Sequence, residues 1–340
     1  MLTANDHKKF TSCGDVEAEA LLKKVLLEIR EALSGTELCV FLGGSYGRGD
    51  GGVRLDRENG ILYNDLDFFV FARNTTSGDA ALLKKIAEKY EHELKVDVDF
   101  SRIMTVDEIK NNASRLMMQE LKRGYYPVCG EDLLAEYLPE IPADRIPFSE
   151  ACRLLLNRGM GLLLAGAKIS GNDSDTDFIL RNLYKAILGA GDAMMISAGE
   201  YRWKIADRLD YIEKSELPAQ WKDLYREAVE FKHSPHRQKK ADMIAFWNSV
   251  RDFVQASAKH CSDDDFRAGI YNRCCKSGEI SLKNYIKYCI RSRTFPLIGW
   301  KYYTIPAVAV LVKDIYSALE KMPEKIDEKS KLYRHWLIFN

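Results

Sequence analysis

The stretches LGGSYGRGD at residues 42–50 and NDLDFFVF at residues 64–71 decide the fold that this sequence predicts. The first begins where the apolar run Leu38–Leu42 ends, and that run predicts a buried strand. Its glycines predict a turn of the backbone rather than a continued strand. The second stretch closes in another apolar run, which predicts a second buried strand over Leu66–Phe71. A glycine turn therefore follows one strand, and two aspartates open the next.

The two aspartates, Asp65 and Asp67, are two positions apart, so on a strand their side chains point the same way. Two carboxylates side by side repel each other unless a cation lies between them. Carboxylate oxygens suit Mg²⁺ or Mn²⁺ better than zinc. We therefore expect Asp65 and Asp67 to bind a divalent metal ion, rather than to be turn and cap residues only.

The next predicted strand, Lys95–Phe100, alternates valines with two further aspartates, Asp97 and Asp99. Either of them can supply a third carboxylate. Three carboxylates on adjacent strands can hold two metal ions about 3.5–4 Å apart, which stabilises both oxygens of an in-line phosphoryl displacement. Asp99 can equally be a solvated or salt-bridged residue at a strand end.

The glycine turn supplies groups that suit a phosphate. Gly43 and Gly44 let the backbone approach a ligand closely, and the Ser45 hydroxyl is a donor. If a short helix starts here, its N–H groups point at an anion. Arg48 is expected either to neutralise phosphate charge or to form a surface ion pair. A phosphate cradle facing an acidic pair predicts a nucleoside-triphosphate site.

This combination resembles the DNA polymerase β-like nucleotidyltransferase superfamily, over residues 38–100. The matching elements, in chain order, are the turn Gly44-Ser45, the pair Asp65-x-Asp67 and the third carboxylate, Asp97. The resemblance favours Asp97 over Asp99, because the family's aspartate is followed by a hydrophobic and then a small polar residue. It implies a mixed sheet, two Mg²⁺ ions, and transfer of a nucleoside monophosphate from an NTP to a hydroxyl with release of pyrophosphate.

The second half of the sequence differs in character. Three prolines between residues 138 and 147 interrupt any helix, so we expect a domain boundary there, with domains at 1–140 and 146–340. The first domain is predicted to be α+β, a mixed sheet flanked by helices. The second is predicted to be an all-α helical bundle that binds the acceptor. Its helices are expected at 149–168, 175–198, 200–214, 218–232, 241–260, 281–292 and 305–321.

The predicted bundle resembles, more loosely, the helical half of small-molecule nucleotidyltransferases such as the aminoglycoside-modifying ones. The segment Arg181–Ala193, followed by Tyr201, carries this resemblance. It implies that a carboxylate from this half can act as base for the acceptor hydroxyl. Asp192 is the candidate, and a hydrogen-bonding residue on a helix face is the alternative.

Composition limits the remaining possibilities. The chain has 340 residues, and its 50 Lys and Arg balance 50 Asp and Glu. This excludes the strongly basic signature of a dedicated nucleic-acid binder, although a local patch stays open. The basic segment at residues 231–240 is expected to be a solvated linker or a contact for RNA or a phosphorylated acceptor. No apolar run is long enough to span a membrane. The cysteines lack Cys-x-x-Cys spacing, which predicts free thiols in the cytoplasm.

The sequence thus predicts a Mg²⁺-dependent nucleotidyltransferase, with ATP as the expected nucleotide and a hydroxyl of a small molecule as acceptor. Three alternatives stay open: a catalytically inactive nucleotide-binding or regulatory protein of the same fold, a protein AMP-transferase, and an RNA nucleotidyltransferase. The acceptor, the base preference and the oligomeric state are not predicted.

Overall fold

A computed structural model describes residues 9–54, 60–74, 76, 78–238, 240–262, 305–326 and 329–337. The chain divides into two compact units. The first unit comprises Met1–Pro142 and Glu230–His236, and the second comprises Ala143–Val229 and Arg237–Asn340. The segment Glu230–His236 is thus grouped with the first unit, whereas the sequence assigned it to the helical domain.

The first unit contains a four-stranded mixed sheet in the order β3-β2-β1-β4. Its strands are β1 (Cys39–Leu42), β2 (Leu66–Phe71), β3 (Val98–Phe100) and β4 (Tyr126–Cys129). β1 pairs antiparallel with β2 and with β4, and β2 pairs parallel with β3. The prediction of a mixed sheet in an α+β fold is confirmed.

Helices pack against both faces of this sheet. One face meets α1 (Val16–Ala32) and α3 (Asp79–Leu94), and the other meets α4 (Val106–Asn111), α5 (Leu116–Arg123) and α6 (Leu133–Tyr137). Because both faces are covered, β1 is buried at every position. The short helix α2 (Gly44–Arg48) follows β1 directly.

The helix boundaries follow from local hydrogen bonds that the sequence signals. Asp15 caps α1 by accepting a hydrogen bond from the Ala18 N–H at 2.9 Å. Thr105 and Glu108 form a capping box at the start of α4. Lys95 ends α3 in a left-handed conformation, with φ of 58°. That turn delays β3 until Val98, so the strand is shorter than the predicted Lys95–Phe100.

The sequence did not predict β4, for a physical reason. Pro127 lies within this strand and cannot donate a backbone hydrogen bond. Proline is tolerated here because β4 is an edge strand, and its register with β1 shifts between Val40 and Phe41. A short strand that contains proline gives little sequence signal.

The described part of the second unit is helical, as predicted. Its helices are α7 (Phe148–Ser170), α8 (Thr176–Ser197), α9 (Ile205–Lys214), α10 (Ala219–His233), α11 (Met243–His260), α12 (Ile305–Ala318) and α13 (Lys331–Trp336), and a 3₁₀ turn covers Ala143–Arg145. The last residues of α10 belong to the first unit. The predicted helix at 281–292 lies outside the described residues.

Close packing in this unit depends on small residues. A Cβ atom on Gly166 would lie 2.8 Å from the Trp247 ring nitrogen, so the indole packs directly on the α7 backbone. The same indole N–H donates to the Leu162 carbonyl at 2.8 Å. None of the helices in the described ranges is both long and apolar enough to cross a membrane.

Candidate functional site

Two of the predicted aspartates face each other across the parallel strands β2 and β3. The register pairs Asp67 with Asp99, and the flanking pairs are Leu66 with Val98 and Phe68 with Phe100. The flanking residues pack in the core on the side of α1 and α3. Since side chains alternate along a strand, Asp67 and Asp99 point together to the other face. The register therefore brings Asp99, rather than the favoured Asp97, opposite Asp67.

Asp65 and Asp97 lie just before these strands, and the Leu66 N–H donates to the Asp97 carbonyl at 2.9 Å. Burial raises the pKa of the Asp99 carboxyl, and the negative charges of Asp65 and Asp97 raise that pKa further, followed by the charge of Glu91. Asp97 and Asp99 form no ion pair with any residue in the described ranges. The four aspartates thus form one acidic cluster, Asp65, Asp67, Asp97 and Asp99, at the start of β2 and β3.

The glycine turn packs against this acidic cluster. The Gly43 N–H donates to the Asp67 carbonyl at 2.8 Å. Gly44 has a φ of 58°, and a Cβ atom there would overlap the Asp67 carboxylate. A side chain at position 44 would therefore both strain the backbone and displace the carboxylate. Ser45, the next residue, is half exposed beside them. The two halves of the predicted site, turn and carboxylate, are in contact.

Tyr46 joins the turn to the segment that leads into Asp65. Its side chain is fully buried, and its hydroxyl donates to the Gly52 carbonyl at 2.9 Å. The same hydroxyl accepts hydrogen bonds from the backbone N–H groups of Tyr63 at 3.0 Å and Asn64 at 3.3 Å. Burial raises the pKa of the Tyr46 hydroxyl well above its usual value, so it keeps its proton. One hydroxyl thereby fixes the backbone next to Asp65.

Asn64 adds a second link to the same loop, because its side-chain oxygen accepts from the Gly52 N–H at 2.7 Å. The sequence analysis missed both Tyr46 and Asn64. A tyrosine among glycines is a weak signal, and nothing in the sequence indicates hydrogen-bond partners that lie 17 or 18 positions away.

We tested whether the acidic cluster suits the divalent ion that the resemblance implies. Within the part of the chain that the structure describes, no three His, Cys, Asp or Glu side chains come close enough together to hold a metal ion. Mg²⁺ does not need three, because it keeps several waters and is commonly held by one or two carboxylates together with substrate phosphates. The donor type and the glycine contact with Asp67 fit such an ion.

Arg48 has partners within the protein. Its guanidinium lies 3.5 Å from Glu120 and 3.9 Å from Asp50. Its side-chain stem packs on Gly124, where a Cβ atom would overlap it. These contacts match the surface ion pair that the sequence left open beside the phosphate contact.

Asp192 is buried in α8 and pairs with Arg208 of α9, with Nη1 to Oδ2 at 3.0 Å. The same guanidinium donates to the carbonyls of Arg202 and Trp203 and lies 4.6 Å over the Tyr201 ring. α9 begins at Ile205, five residues after the predicted residue 200. The arrangement is that of a structural ion pair.

The chain matches no model of a known protein family, and it matches no curated protein.

Proposed function

We propose that this chain is a Mg²⁺-dependent nucleotidyltransferase that moves a nucleoside monophosphate from an NTP, with ATP first among the candidates, to the hydroxyl of a small acceptor. One observation carries the proposal. The glycine turn contacts the carboxylate of Asp67, and Asp67 lies opposite a second carboxylate, that of Asp99, on a parallel strand. A backbone open to phosphates beside paired carboxylates is what a metal-bound triphosphate needs.

In this proposal Asp65 and Asp67 hold the metal together with the substrate phosphates. Asp99 or Asp97, the expected third carboxylate, adds negative charge beside the metal, because no three such side chains among the described residues come close enough to share an ion. When bound, Mg²⁺ would neutralise the charge that develops on the transferring phosphoryl group. Gly44 and Ser45 position the triphosphate, and the rigid turn keeps it in line with the acceptor hydroxyl. The register favours Asp99 in direct contact with the site, and it leaves Asp97 one position before the strand.

Arg48 and Asp192 are not central to the proposed site. Arg48 can neutralise phosphate charge only if its guanidinium leaves Glu120 or Asp50 and binds the ligand instead. Asp192 is not assigned as the base, because Arg208 already stabilises its ionised form.

We propose a cytoplasmic location, since Cys13, Cys39, Cys129, Cys152 and Cys261 are free thiols in the described ranges.

The first test is calorimetric titration of ATP with and without Mg²⁺. The wild type is expected to bind ATP only with the metal present. Asp65→Asn and Asp67→Asn should each weaken that binding by a factor on the order of 100 or more, because mutation of the residues that merely orient metal ligands already costs roughly 10–100-fold. Asp210→Asn is the matched control, because it removes an exposed carboxylate that pairs with Lys214 on α9.

Equal metal-dependent binding in wild type and Asp67→Asn would refute the metal assignment. Binding without any pyrophosphate release across a panel of acceptors would favour the inactive nucleotide-binding alternative. Radiolabelled ATP incubated with cell extract then separates the acceptor classes: label in small molecules supports the proposal, whereas label in protein or in RNA would favour the AMP-transferase or the RNA nucleotidyltransferase.

A further inference from the structure

We propose that residues 230–236, the end of α10 and the residues that follow it, are a positioning element for the nucleotide site. Phe231 and Lys232 hold the two described ends, residues 50–54 and 60–64, of the loop between the glycine turn and Asp65. This inference rests on the proposed function of that site. The segment is separated from the loop by more than 160 positions of sequence, yet it is grouped with the first unit. From the sequence, this basic segment was expected to be a solvated linker or a contact for RNA or a phosphorylated acceptor.

Phe231 contacts the end of the loop that leads into Asp65. Its ring meets the Tyr63 ring edge-to-face at 5.9 Å, and both side chains are buried. The backbone N–H of Tyr63 is the group that donates to the Tyr46 hydroxyl. The Phe231 ring therefore packs on the residue that carries the backbone to Asn64 and Asp65, and loss of the ring would free that backbone to shift.

Lys232 contacts the other end of the loop. Its ammonium group lies 3.8 Å from Asp50, and its side chain is only 16% exposed. The Asp50 N–H donates to the Ser45 carbonyl at 2.9 Å. Lys232 thus helps to position Ser45, which we assign to the triphosphate, through its ion pair with Asp50. Because Arg48 also approaches Asp50, the carboxylate lies between two cations, which fixes its position.

The backbone of the segment also packs against Gly52, shortly after Asp50. A Cβ atom on Gly52 would lie 3.2 Å from the Lys232 carbonyl and 3.3 Å from Pro235, so only a small residue permits this approach. Gly52 is also the residue that exchanges hydrogen bonds with Tyr46 and Asn64. The His233 carbonyl accepts from the Ser12 hydroxyl at 3.4 Å, which ties the segment to the N-terminal part of the unit.

The experiment compares Phe231→Leu, Lys232→Met and Lys232→Arg in the full chain. Leucine keeps an apolar side chain but removes the ring contact, methionine removes the charge, and arginine restores it. Lys222→Met is the control, because Lys222 lies on the same helix but donates to the Glu213 carbonyl in the second unit. Calorimetry with Mg²⁺ and ATP measures the nucleotide affinity of the site. Hydrogen exchange at the Asp50 and Tyr63 amides, without any nucleotide, measures how readily the loop opens.

We expect Phe231→Leu and Lys232→Met to weaken Mg²⁺-ATP binding by about tenfold, since small misplacements of positioning groups have effects of this order or more. The corresponding amides should exchange about tenfold faster, while the exchange of core strand amides stays unchanged. Lys232→Arg should recover both readouts, and Lys222→Met should alter neither.

Unchanged exchange at Asp50 and Tyr63 in both variants would overturn the positioning role, whatever the nucleotide result. Faster exchange with unchanged Mg²⁺-ATP affinity would overturn the link to the site. A wild type that binds no nucleotide would refute the proposed function, and the exchange data would then still decide whether the segment holds the loop.

Discussion

Asp99 and Asp192 are the same side chain in opposite electrostatic surroundings. Asp99 lies on β3 opposite Asp67, and burial, followed by the negative charges of Asp65 and Asp97, raises the pKa of its carboxyl. Asp192 lies on α8 against the Arg208 guanidinium, which favours its ionised form. In the proposed function the first arrangement would gain stability from a bound cation, whereas the second already contains its cation. The charges next to a carboxylate therefore indicate whether it can accept a bound cation. The apolar character of the helix or strand that carries it does not.

The largest effect is expected at Asp192. Asp192→Asn leaves the Arg208 guanidinium buried without its counter-charge, and we expect the free energy of unfolding to fall by about 3 kcal/mol. Urea denaturation measures this change. A decrease in unfolding free energy of less than a third of that value would show that the ion pair is not structural. Asp192 would then again be a candidate base for the acceptor hydroxyl.

Tyr46→Phe should have the next largest effect. The change keeps the ring but leaves the N–H groups of Tyr63 and Asn64 and the Gly52 carbonyl without their shared partner. We expect a loss of about 2 kcal/mol in unfolding free energy, together with weaker Mg²⁺-ATP binding.

Tyr90→Phe is the control for that variant, because the hydroxyl of this buried tyrosine donates to Glu28 and accepts from Lys89, neither of which is assigned to the site. Nucleotide binding that weakens equally in both tyrosine variants would mean that Tyr46 does not act through the loop.

A comparison of Gly44→Ala with Gly35→Ala separates the effect of backbone strain from the effect of displacing the Asp67 carboxylate. Both glycines have positive φ, so each alanine should cost about 1 kcal/mol in unfolding free energy. A Cβ atom on Gly35 meets nothing within 4 Å, whereas one on Gly44 overlaps the Asp67 carboxylate. We therefore expect only Gly44→Ala to abolish metal-dependent ATP binding in calorimetry. Retained binding in Gly44→Ala would contradict the contact between turn and carboxylate.

Asp99→Asn should have the smallest effect on stability, and the effect should have the opposite sign to that of Asp192→Asn. Removing one of several like charges is expected to stabilise the metal-free protein by about 0.5 kcal/mol at pH 7. The gain should vanish as pH falls, because Asp99 has a raised pKa in the folded state and takes up its proton before the unfolded chain does, near a pKa of about 4.

Thermal unfolding of wild type and Asp99→Asn between pH 4 and pH 7 measures this difference. A gap that widens towards low pH would contradict the assigned repulsion. Added Mg²⁺ should reverse the order at pH 7, so that the wild type becomes the more stable protein.

Much of the fold follows from local patterns. The apolar run that predicts a strand over Leu66–Phe71 gives that element with the bounds that the structure shows. Such elements depend on neighbouring residues only. Sequence pattern also brought Asp65, Asp67 and Gly44 together as a candidate site.

The parts that sequence could not supply are contacts between distant positions. Alternation predicts that Asp97 and Asp99 share a face, but the register with β2 depends on where Lys95 ends α3. Arg208, the partner of Asp192, lies 16 positions away on another helix. The approach of Lys232 to Asp50 has no sequence signal at all.

In the proposed function, the acidic cluster and the glycine turn together hold a divalent ion with a triphosphate. Electron paramagnetic resonance of Mn²⁺ tests it directly, because the signal of the hydrated ion disappears when the ion is bound. With ATP at a concentration that leaves part of the Mn²⁺ free, added wild-type protein should deplete the remaining signal, and Asp67→Asn should not. Equal depletion by the two proteins would contradict the account.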